Sequence, residues 1–357
     1  MSRNAETVNV GPKAGARISM MDIARHAGVS QKTVSRVVNG EAHVSPEVMT
    51  RVQKSIDELG FRPNAAARAL VTQRFKRIGM VTIGTSLFGP ASILNGVESA
   101  AKSAGYFLSV VRTGDGTHEQ IQEGIDQLVT QGVDGIILSE PIDVGHPTID
   151  SPVGLPILSF DQPSSATRDH ELVVGMDESS AARSATEHLL ALGHETVWHI
   201  AGDEHWAATR RRIQGWREAL NDAGAAEPDV IYGNWSPASG FAAAQQVTAR
   251  PDITAIFAAN DQMAIGAMRA FQMAGIRVPD DISVVGFDDS PESAYLHVPL
   301  TTIRQDFDEV TRVAVHRLIR TIEGHPPTTL HRSVPAQLII RESTARRSPE
   351  RHHIRSI

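Results

Sequence analysis

The sequence predicts a small all-α head followed by a two-lobed α/β core of doubly wound parallel sheets. The head is predicted by three short amphipathic segments before residue 60, each bounded by helix-capping residues. The core is predicted because, from Arg77 on, β-branched apolar runs alternate regularly with amphipathic stretches. Ten such runs in about 265 residues are more than one parallel sheet usually holds, which favours two lobes. A chain of 357 residues that is 41% hydrophobic is long enough for these domains.

The first structured element of the head is a helix that begins at Ser19. Residues 1–18 mix Gly, Asn, Pro and charged residues without periodicity, which predicts a disordered arm. The segment Ser19-Met20-Met21-Asp22 resembles a capping box, and Gly28 suits the end of the helix because glycine tolerates left-handed backbone. The inner face is formed by Met20, Ile23, Ala24 and Ala27.

Two further helices complete the head, which we assign to residues 19–63. Ser30 can cap the second helix, which Asn39-Gly40 stops, and Ser45-Pro46-Glu47 begins a third that Gly60 closes. Their inward positions are Val34, Val37 and Val38, then Val48, Val52, Ile56 and Leu59. Three short helices with a glycine-containing first turn are typical of the helix-turn-helix, in which the second helix contacts DNA.

A short helix-forming segment links the head to the core. Ala65 to Leu70 favours a helix but is too short to be stable alone, so we expect a conditional hinge helix within residues 64–76. The core follows over residues 77–343, and residues 344–357 are expected to form a disordered tail. The predicted strands are Ile78 to Ile83, Phe107 to Val111, Gly135 to Leu138, Ile157 to Asp161, Leu172 to Asp177, Val197 to Gly202, Val230 to Trp235, Ala255 to Asn260, Ile282 to Asp288 and Thr301 to Asp306. Intervening helices include Pro90 to Ala104, His118 to Gln131, Ser179 to Leu192 and Asp261 to Ala274.

Charge is divided unevenly along the chain. The first 77 residues hold 13 Lys and Arg against 6 Asp and Glu, and the remaining 280 hold 21 against 35, for a net charge of −7. A basic head can attract nucleic acid, although basic stretches are more often solvated surface. Charge alone therefore leaves the interpretation open, and motifs must decide it.

Composition and missing motifs exclude several classes of protein. The sequence has no cysteine, which excludes disulfides, thiolate metal sites and cysteine nucleophiles. No apolar run approaches the roughly 20 residues that cross a bilayer, and the first twenty residues lack a signal-peptide stretch, so we expect a cytoplasmic protein without a membrane partner. The absence of a GxSxG elbow, a P-loop and an HExxH pair argues against an enzyme, and no cofactor or metal is expected. His352-His353 could bind metal weakly, but a solvated tail is the preferred interpretation.

The assembled motifs resemble the LacI/GalR family of transcriptional repressors over residues 19 to about 343. In the head the resemblance rests on Asp22-Ile23-Ala24, Ala27-Gly28-Val29-Ser30, Thr33-Val34-Ser35-Arg36-Val37-Val38-Asn39 and Arg62-Pro63-Asn64. In the core it rests on Ala259-Asn260-Asp261-Gln262-Met263-Ala264, on Ile282 to Asp289, and on Pro299-Leu300-Thr301-Thr302-Ile303. The resemblance implies a homodimer with two periplasmic-binding-protein-like lobes per core, a palindromic operator, and a small effector in the cleft that changes operator affinity.

The resemblance and the helix pattern together select candidate DNA-binding residues. Gln31, Lys32 and Arg36 are expected on the outward face of the second helix, where such side chains contact base edges in the major groove. The remaining candidates are Ser30, Thr33, Ser35, Asn39 and Asn64. Leu70 corresponds to the family's minor-groove wedge, which unstacks and kinks DNA. The simpler alternatives are a solvated helix face and an ordinary helix leucine.

Candidate effector-binding residues follow the predicted strands. Asp161, Asn260, Asp288 and Gln305 end or follow strands, where ligands bind in such folds, and carboxylates and amides suit a polyhydroxylated ligand. The resemblance adds Arg212 as a donor, and Trp235 offers a flat apolar face for a sugar ring. Leu87, Pro90 and Ile93 would form an apolar wall. The alternatives are strand-end capping, a core tryptophan and ordinary packing residues.

The identity of the effector stays open at this point. Gln31-Lys32 replaces the tyrosine and glutamine of the family member that the chain most resembles, and Met176 and Ala208 replace its phenylalanine and serine. A galactoside or a related glycoside is the first choice, and co-repression by a nucleobase is the alternative within the family. A periplasmic sugar-binding protein would share the core, but it would lack residues 1–77.

The chain end bears on assembly. A palindromic operator requires two heads related by a twofold axis, so the core is expected to dimerise through helices such as Pro90 to Ala104. After Ile340 there is no apolar heptad pattern for a coiled coil, and Pro349 would interrupt a helix. We therefore expect a dimer.

Overall fold

The computed structural model of the chain describes residues 18–38, 44–62, 74–114, 116–139, 154–160, 172–250 and 252–347. The chain divides into two compact units, Met1–Phe75 and Lys76–Ile357, which are described separately below. Within the described residues, no helix is both long and apolar enough to cross a membrane.

The head contains three helices around a small apolar core. They are α1 (Met20–Ala27), α2 (Gln31–Val38) and α3 (Pro46–Leu59). The expected capping box is present, because Ser19 Oγ accepts a hydrogen bond from the Asp22 amide and the Asp22 carboxylate accepts one from the Ser19 amide. Gly28 ends α1 with a φ of 64°, a left-handed conformation that most residues avoid. Ile23, Val34 and Val52 are fully buried where the three helices meet.

The first lobe of the second unit is a six-stranded, all-parallel sheet. Its strand order is β11-β5-β4-β3-β1-β2. The strands are β1 (Arg77–Ile83), β2 (Phe107–Thr113), β3 (Gly135–Ser139), β4 (Ile157–Phe160), β5 (Leu172–Met176) and β11 (His331–Val334). Helices α4 (Phe88–Ser103) and α10 (Phe307–Ile322) pack on one face and α5 (His118–Thr130) on the other. Both faces are thus covered, which explains why the inner strands are continuous apolar runs.

The second lobe is another six-stranded sheet with the order β12-β10-β9-β8-β6-β7. Its strands are β6 (Trp198–Ala201), β7 (Ile231–Tyr232), β8 (Ala255–Ala258), β9 (Ser283–Asp288), β10 (Thr301–Arg304) and β12 (Gln337–Ile339), and only β12 runs antiparallel to its neighbour. Helices α6 (Glu178–Ala191) and α7 (Ala207–Asp222) cover one face, and α8 (Pro237–Thr248) and α9 (Asp261–Met273) the other. A short 3₁₀ helix spans Pro291–Ala294. The predicted class, a helical head and a doubly wound core with two sheets, is confirmed.

The chain passes between the two lobes at three places. It leaves the first sheet after β5 through Asp177, returns after β10 through Gln305 and Asp306, and leaves again between β11 and β12. Each lobe is therefore assembled from separate parts of the sequence. The first two crossings lie at the carboxyl ends of parallel strands, beside the cavity described below.

The structure differs from the sequence prediction in three places. Strands β11 and β12 were not predicted, because both are short edge strands without a buried apolar run. Between Val230 and Trp235 only Ile231–Tyr232 is a strand. Thr344–Arg347, expected in a loose tail, are held by hydrogen bonds: the Arg347 amide donates to the Leu192 carbonyl and the Ala345 amide to Ser283 Oγ. Hydrogen bonds of this kind leave no periodic pattern in the sequence, so the polar composition of the segment led to the expectation of a loose tail.

Candidate functional site

The second helix of the head presents polar side chains on the side opposite its core. Gln31 and Lys32 are exposed, Ser35 and Arg36 are partly exposed, and Val34 is fully buried. In helix-turn-helix proteins this face of the second helix enters the major groove. The local arrangement is therefore compatible with the expected base contacts.

Two of the candidate DNA-binding residues also stabilise the start of α2. Ser30 Oγ accepts a hydrogen bond from the Thr33 amide at 3.1 Å and lies 2.9 Å from Thr33 Oγ1. Any contact of these hydroxyls with DNA is additional to this capping role. Asn39, Asn64 and Leu70 lie outside the described residues.

In the second unit, one cavity gathers most of the candidate effector residues. It lies where the carboxyl ends of the two sheets face each other, and its empty space, counted together with the open solvent at its mouth, is about 670 Å³. The candidates that line it are Leu87, Pro90, Ile93, Arg212, Trp235, Asn260, Asp288 and Gln305. Asp161 lies outside the described residues, directly after Phe160, which also lines the cavity.

A buried arginine forms the charged centre of this cavity. Arg212, on the second turn of α7, donates through Nη2 to Glu178 Oε1 at 2.7 Å, and the same nitrogen lies 3.9 Å from Asp288 Oδ1. Its Nη1 donates to the Ala259 carbonyl. The guanidinium carbon lies 3.8 Å from the centre of the Phe287 ring. The arginine is thus held by a carboxylate, a carbonyl and an aromatic ring, which fixes its orientation.

Asp288 is the most perturbed acid of the cavity. Its carboxyl group has a pKa raised to about 7: burial is the main cause, nearby Asp261 and Glu178 add to the shift, and Arg212 and the hydrogen bond from Gln305 oppose it. Gln305 Nε2 donates to Asp288 Oδ1 at 2.6 Å. The backbone φ of Asp288 is 110°, a region that costs a non-glycine residue about 1–3 kcal/mol. Such strain clusters at functional sites, which supports a ligand-binding role for this residue.

Asn260 has a different role from the one its position suggested. Its Oδ1 accepts from the Met263 amide at 2.9 Å and its Nδ2 donates to the Trp235 carbonyl at 3.0 Å. The side chain therefore caps α9 and anchors the Trp235 loop. The alternative raised from the sequence was strand-end capping, and the contacts observed at the end of β8 are those of a helix cap.

Trp235 forms one wall of the cavity. It has a backbone φ of 69° and its ring centre lies 5.2 Å from that of Trp206. The ring also lies against Gly202, where an added Cβ would come within 2.1 Å of the indole. Gly202 is therefore required for the position of this wall. The indole Nε1 of Trp235 is buried and has no hydrogen-bond partner among the described residues.

Sequence reasoning missed several residues that line the cavity. These are Phe88, Gly89, Ser139, Phe160, Glu178, Trp206 and Phe307. Three of them could have been found by the strand-end rule, since Ser139 and Phe160 end β3 and β4 and Glu178 follows β5 by two residues. Phe307 could not, because it begins a helix and its exposure to the cavity depends on the chain crossing between lobes.

Asp261 follows the cavity residue Asn260 at the start of α9 and anchors the neighbouring loop. Its carboxylate accepts from the Ser290 amide at 2.7 Å, from Ser293 Oγ at 2.6 Å and from Thr302 Oγ1 at 2.5 Å. Burial raises its pKa to about 6, against the effect of these hydrogen bonds. These contacts tie α9 to the loop that follows Asp288.

Comparisons with known proteins agree with this architecture. Residues 19–64 match the family described as bacterial regulatory proteins, lacI family, and residues 186–344 match the periplasmic binding protein-like domain. The lactose operon repressor of Escherichia coli (strain K12) is 33% identical over 330 residues, covering 92% of this chain and 91% of its own. The HTH-type transcriptional regulator CelR of Thermobifida fusca is 36% identical over 330 residues, covering 90% and 96%.

Solved structures give the same result. A lac repressor dimer bound to operator and the anti-inducer ONPF superimposes with a TM-score of 0.81 at 32% identity, over 92% of this chain and all of that chain. A complex of the regulator CelR with cellobiose gives a TM-score of 0.69 at 31% identity, over the same shares.

These relatives are transcriptional repressors and regulators, a class without catalytic activity, so the expectation of a non-enzyme is confirmed. The sequence identity exceeds 30% along almost the whole chain, and the two-domain architecture matches that of these relatives, so both observations assign the chain to the same family. The chain belongs to the lacI family of bacterial regulatory proteins and is a DNA-binding transcriptional repressor with an effector-binding regulatory domain.

Proposed function

We propose that this repressor binds a palindromic operator as a homodimer in the cytoplasm, and that a small sugar in the cavity of the regulatory domain controls its operator affinity. The sugar is a galactoside or a related glycoside. The observation that carries the proposal concerns two residues that line the same cavity, each with a buried polar atom that has no hydrogen-bond partner among the described residues: the donor Trp235 Nε1 and the acceptor Gln305 Oε1. A sugar hydroxyl both donates and accepts, so one class of ligand satisfies both atoms.

The walls of the cavity suit the apolar C–H surface of a sugar ring. Phe160, Trp206, Trp235 and Phe307 are aromatic residues that line it. Aromatic faces bind the C–H surface of a sugar ring while polar groups at the rim take its hydroxyls. Two relatives were solved with small ligands, the lac repressor with the anti-inducer ONPF and the regulator CelR with cellobiose, and the second of these supports a glycoside here.

On the DNA side, Gln31, Lys32 and Arg36 are proposed to contact base edges. Ser30, Thr33, Ser35, Asn39 and Asn64 are proposed to complete the interface. The exposure of Gln31 and Lys32 supports this assignment, because exposed polar side chains on the second helix of a helix-turn-helix are available to base edges. We propose a hinge helix within residues 64–76, ordered by operator contact, with Leu70 as its minor-groove wedge.

The dimer is proposed to form through the face that carries α4. Edge strand β2, which packs beside α4, exposes 73% of Phe107 and 39% of Val110. Large apolar side chains at a sheet edge favour coverage by a partner. The relative bound to operator is itself a dimer, which fits a twofold-symmetric operator.

The proposal is tested by operator selection followed by sugar titration. The purified protein is used to select its operator from random duplexes, and we expect a palindrome. Galactose, lactose, cellobiose and glucose are then titrated against the labelled operator complex by fluorescence anisotropy. We expect at least one of them to change operator affinity by tenfold or more. A variant with Trp235→Ala should lose this response and retain operator binding. A palindromic operator whose affinity no sugar changes would contradict the effector assignment.

A further inference from the structure

A second acid of the cavity, Glu178, is not explained by the repressor architecture alone. It is the first residue of α6, directly after Asp177, where the chain passes from the first sheet to the second lobe. Its side chain is 3% exposed and lines the cavity. The two oxygens of its carboxylate have different surroundings, and the difference indicates a ligand.

One oxygen of Glu178 is paired and the other is not. Oε1 accepts from Arg212 Nη2 at 2.7 Å. Oε2 is buried and has no hydrogen-bond partner among the described residues. Leaving a buried carboxyl oxygen unpaired is unfavourable, so such an atom in a residue that lines a cavity is typically satisfied by a group in the cavity that donates a hydrogen bond.

The charges around Glu178 limit what that group can be. Arg212 is the only basic side chain among the described residues that line the cavity, and its guanidinium is held by Glu178 with Asp288 nearby. The cavity therefore offers two carboxyl groups against one cation. An anionic ligand would place a further negative charge beside them in a buried environment, where repulsion is weakly screened.

We propose that Glu178 is a ligand-binding residue whose Oε2 accepts a hydrogen bond from an effector hydroxyl, and that it restricts the effector to uncharged glycosides. Sugar acids and sugar phosphates are excluded by the same carboxylate. This inference rests on the proposed sugar site and narrows the class of sugars that the site binds, because it distinguishes neutral sugars from anionic sugars of similar size and shape.

The inference is tested first with the unmodified protein by isothermal titration calorimetry. Galactose, glucose, lactose and cellobiose are compared with galacturonate, glucuronate and glucose 6-phosphate at pH 7.5. We expect a neutral sugar to bind at least tenfold more tightly than its anionic counterpart. An anionic counterpart that binds as tightly as the neutral sugar overturns the inference and leaves the sugar site in place. Binding of none of the neutral sugars overturns the proposed effector site and this inference together.

The second test uses Glu178→Gln. The amide keeps an oxygen for Arg212 and turns its NH₂ group, which cannot accept, toward the cavity. We expect neutral-sugar affinity to fall about tenfold or more, as expected for loss of a hydrogen bond to a charged group, and the preference for neutral over anionic sugar to shrink. If Glu178 had a merely structural role, the substitution would weaken the binding of neutral and anionic sugars equally, so an unchanged preference overturns the inference.

Glu187→Gln is the matched control, because Glu187 lies on the same helix and pairs with Arg183 at 2.7 Å. Its side chain is half exposed, and it is not among the residues that line the cavity. If Glu178→Gln fails to fold, the comparison of neutral and anionic sugars on the unmodified protein decides.

Discussion

Replacing Asp288 by Asn is expected to change how the stability of the regulatory domain depends on pH. Burial raises the pKa of the Asp288 carboxyl from 3.8 to about 7. Because the pKa in the folded state lies above that in the unfolded chain, the folded state binds the proton more tightly. Its contribution to stability is complete below about pH 4 and is lost as the pH rises through about 7.

The size of this effect follows from the two pKa values. The difference between 3.8 and about 7 corresponds to about 4 kcal/mol, of which about 2 to 3 kcal/mol develops between pH 5 and pH 8. Asn keeps an oxygen that accepts from Gln305 Nε2 and cannot ionise. The free energy of unfolding of Asp288→Asn, relative to the unmodified protein, should therefore rise by about 2 to 3 kcal/mol between these pH values.

Urea unfolding followed by circular dichroism at pH 5, 6, 7 and 8 measures this difference. Asp126→Asn is the control, because it removes an exposed carboxylate from α5 and should produce no comparable gain. Comparing each variant with the unmodified protein at the same pH cancels the other titrating groups. A difference between Asp288→Asn and the unmodified protein that stays constant from pH 5 to pH 8 would refute the reasoning.

Four further predictions address the separate parts of the molecule. Arg36→Ala should abolish specific operator binding in anisotropy titrations while leaving sugar affinity intact in calorimetry, and equal operator affinity would contradict the assignment of α2. Arg212→Ala leaves Glu178 without its partner and should weaken sugar binding by about 2 kcal/mol or more, so that reporter assays show a repressor that no sugar induces. Gly202→Ala should displace the Trp235 wall and weaken sugar binding at least tenfold with little change in operator binding; unchanged calorimetry would show that the wall can shift. Deleting the residues after Arg347 should leave light scattering at twice the 38.5 kDa chain mass, whereas a tetramer in the full chain that becomes a dimer on deletion would show that the tail assembles.

Most of the fold could be predicted from the sequence because its inner strands are buried on both faces. Such strands are continuous apolar runs, and all six residues of β9, Ser283–Asp288, are buried. The strand β11, His331–Val334, escaped prediction because only Val334 is buried. It is a strand because it pairs with β5, and a pairing between distant segments has no local pattern.

The position of the candidate site could be predicted from the sequence, but the roles of its individual residues could be predicted less well. The rule that ligands bind at the carboxyl ends of parallel strands located Asp288 and Gln305 beside the cavity. The same rule could not show that both polar atoms of Asn260 are occupied by the protein. It also could not single out Glu178, because its importance comes from one unpaired oxygen and from the charge of Arg212 on a different helix.

The three crossings between the lobes have a consequence for synthesis of the chain. When the ribosome has made residues up to Met176, five strands of the first sheet exist, but α10 (Phe307–Ile322) and β11 do not. The apolar residues that α10 later covers, among them Ile137, Leu158 and Val174, remain open to solvent until about 130 more residues have been added. The second lobe, whose strands β6 to β10 are continuous in sequence, can close first. During this interval the unfinished first lobe exposes an apolar surface to which chaperones can bind. For the same reason, an isolated fragment that ends at Met176 should aggregate.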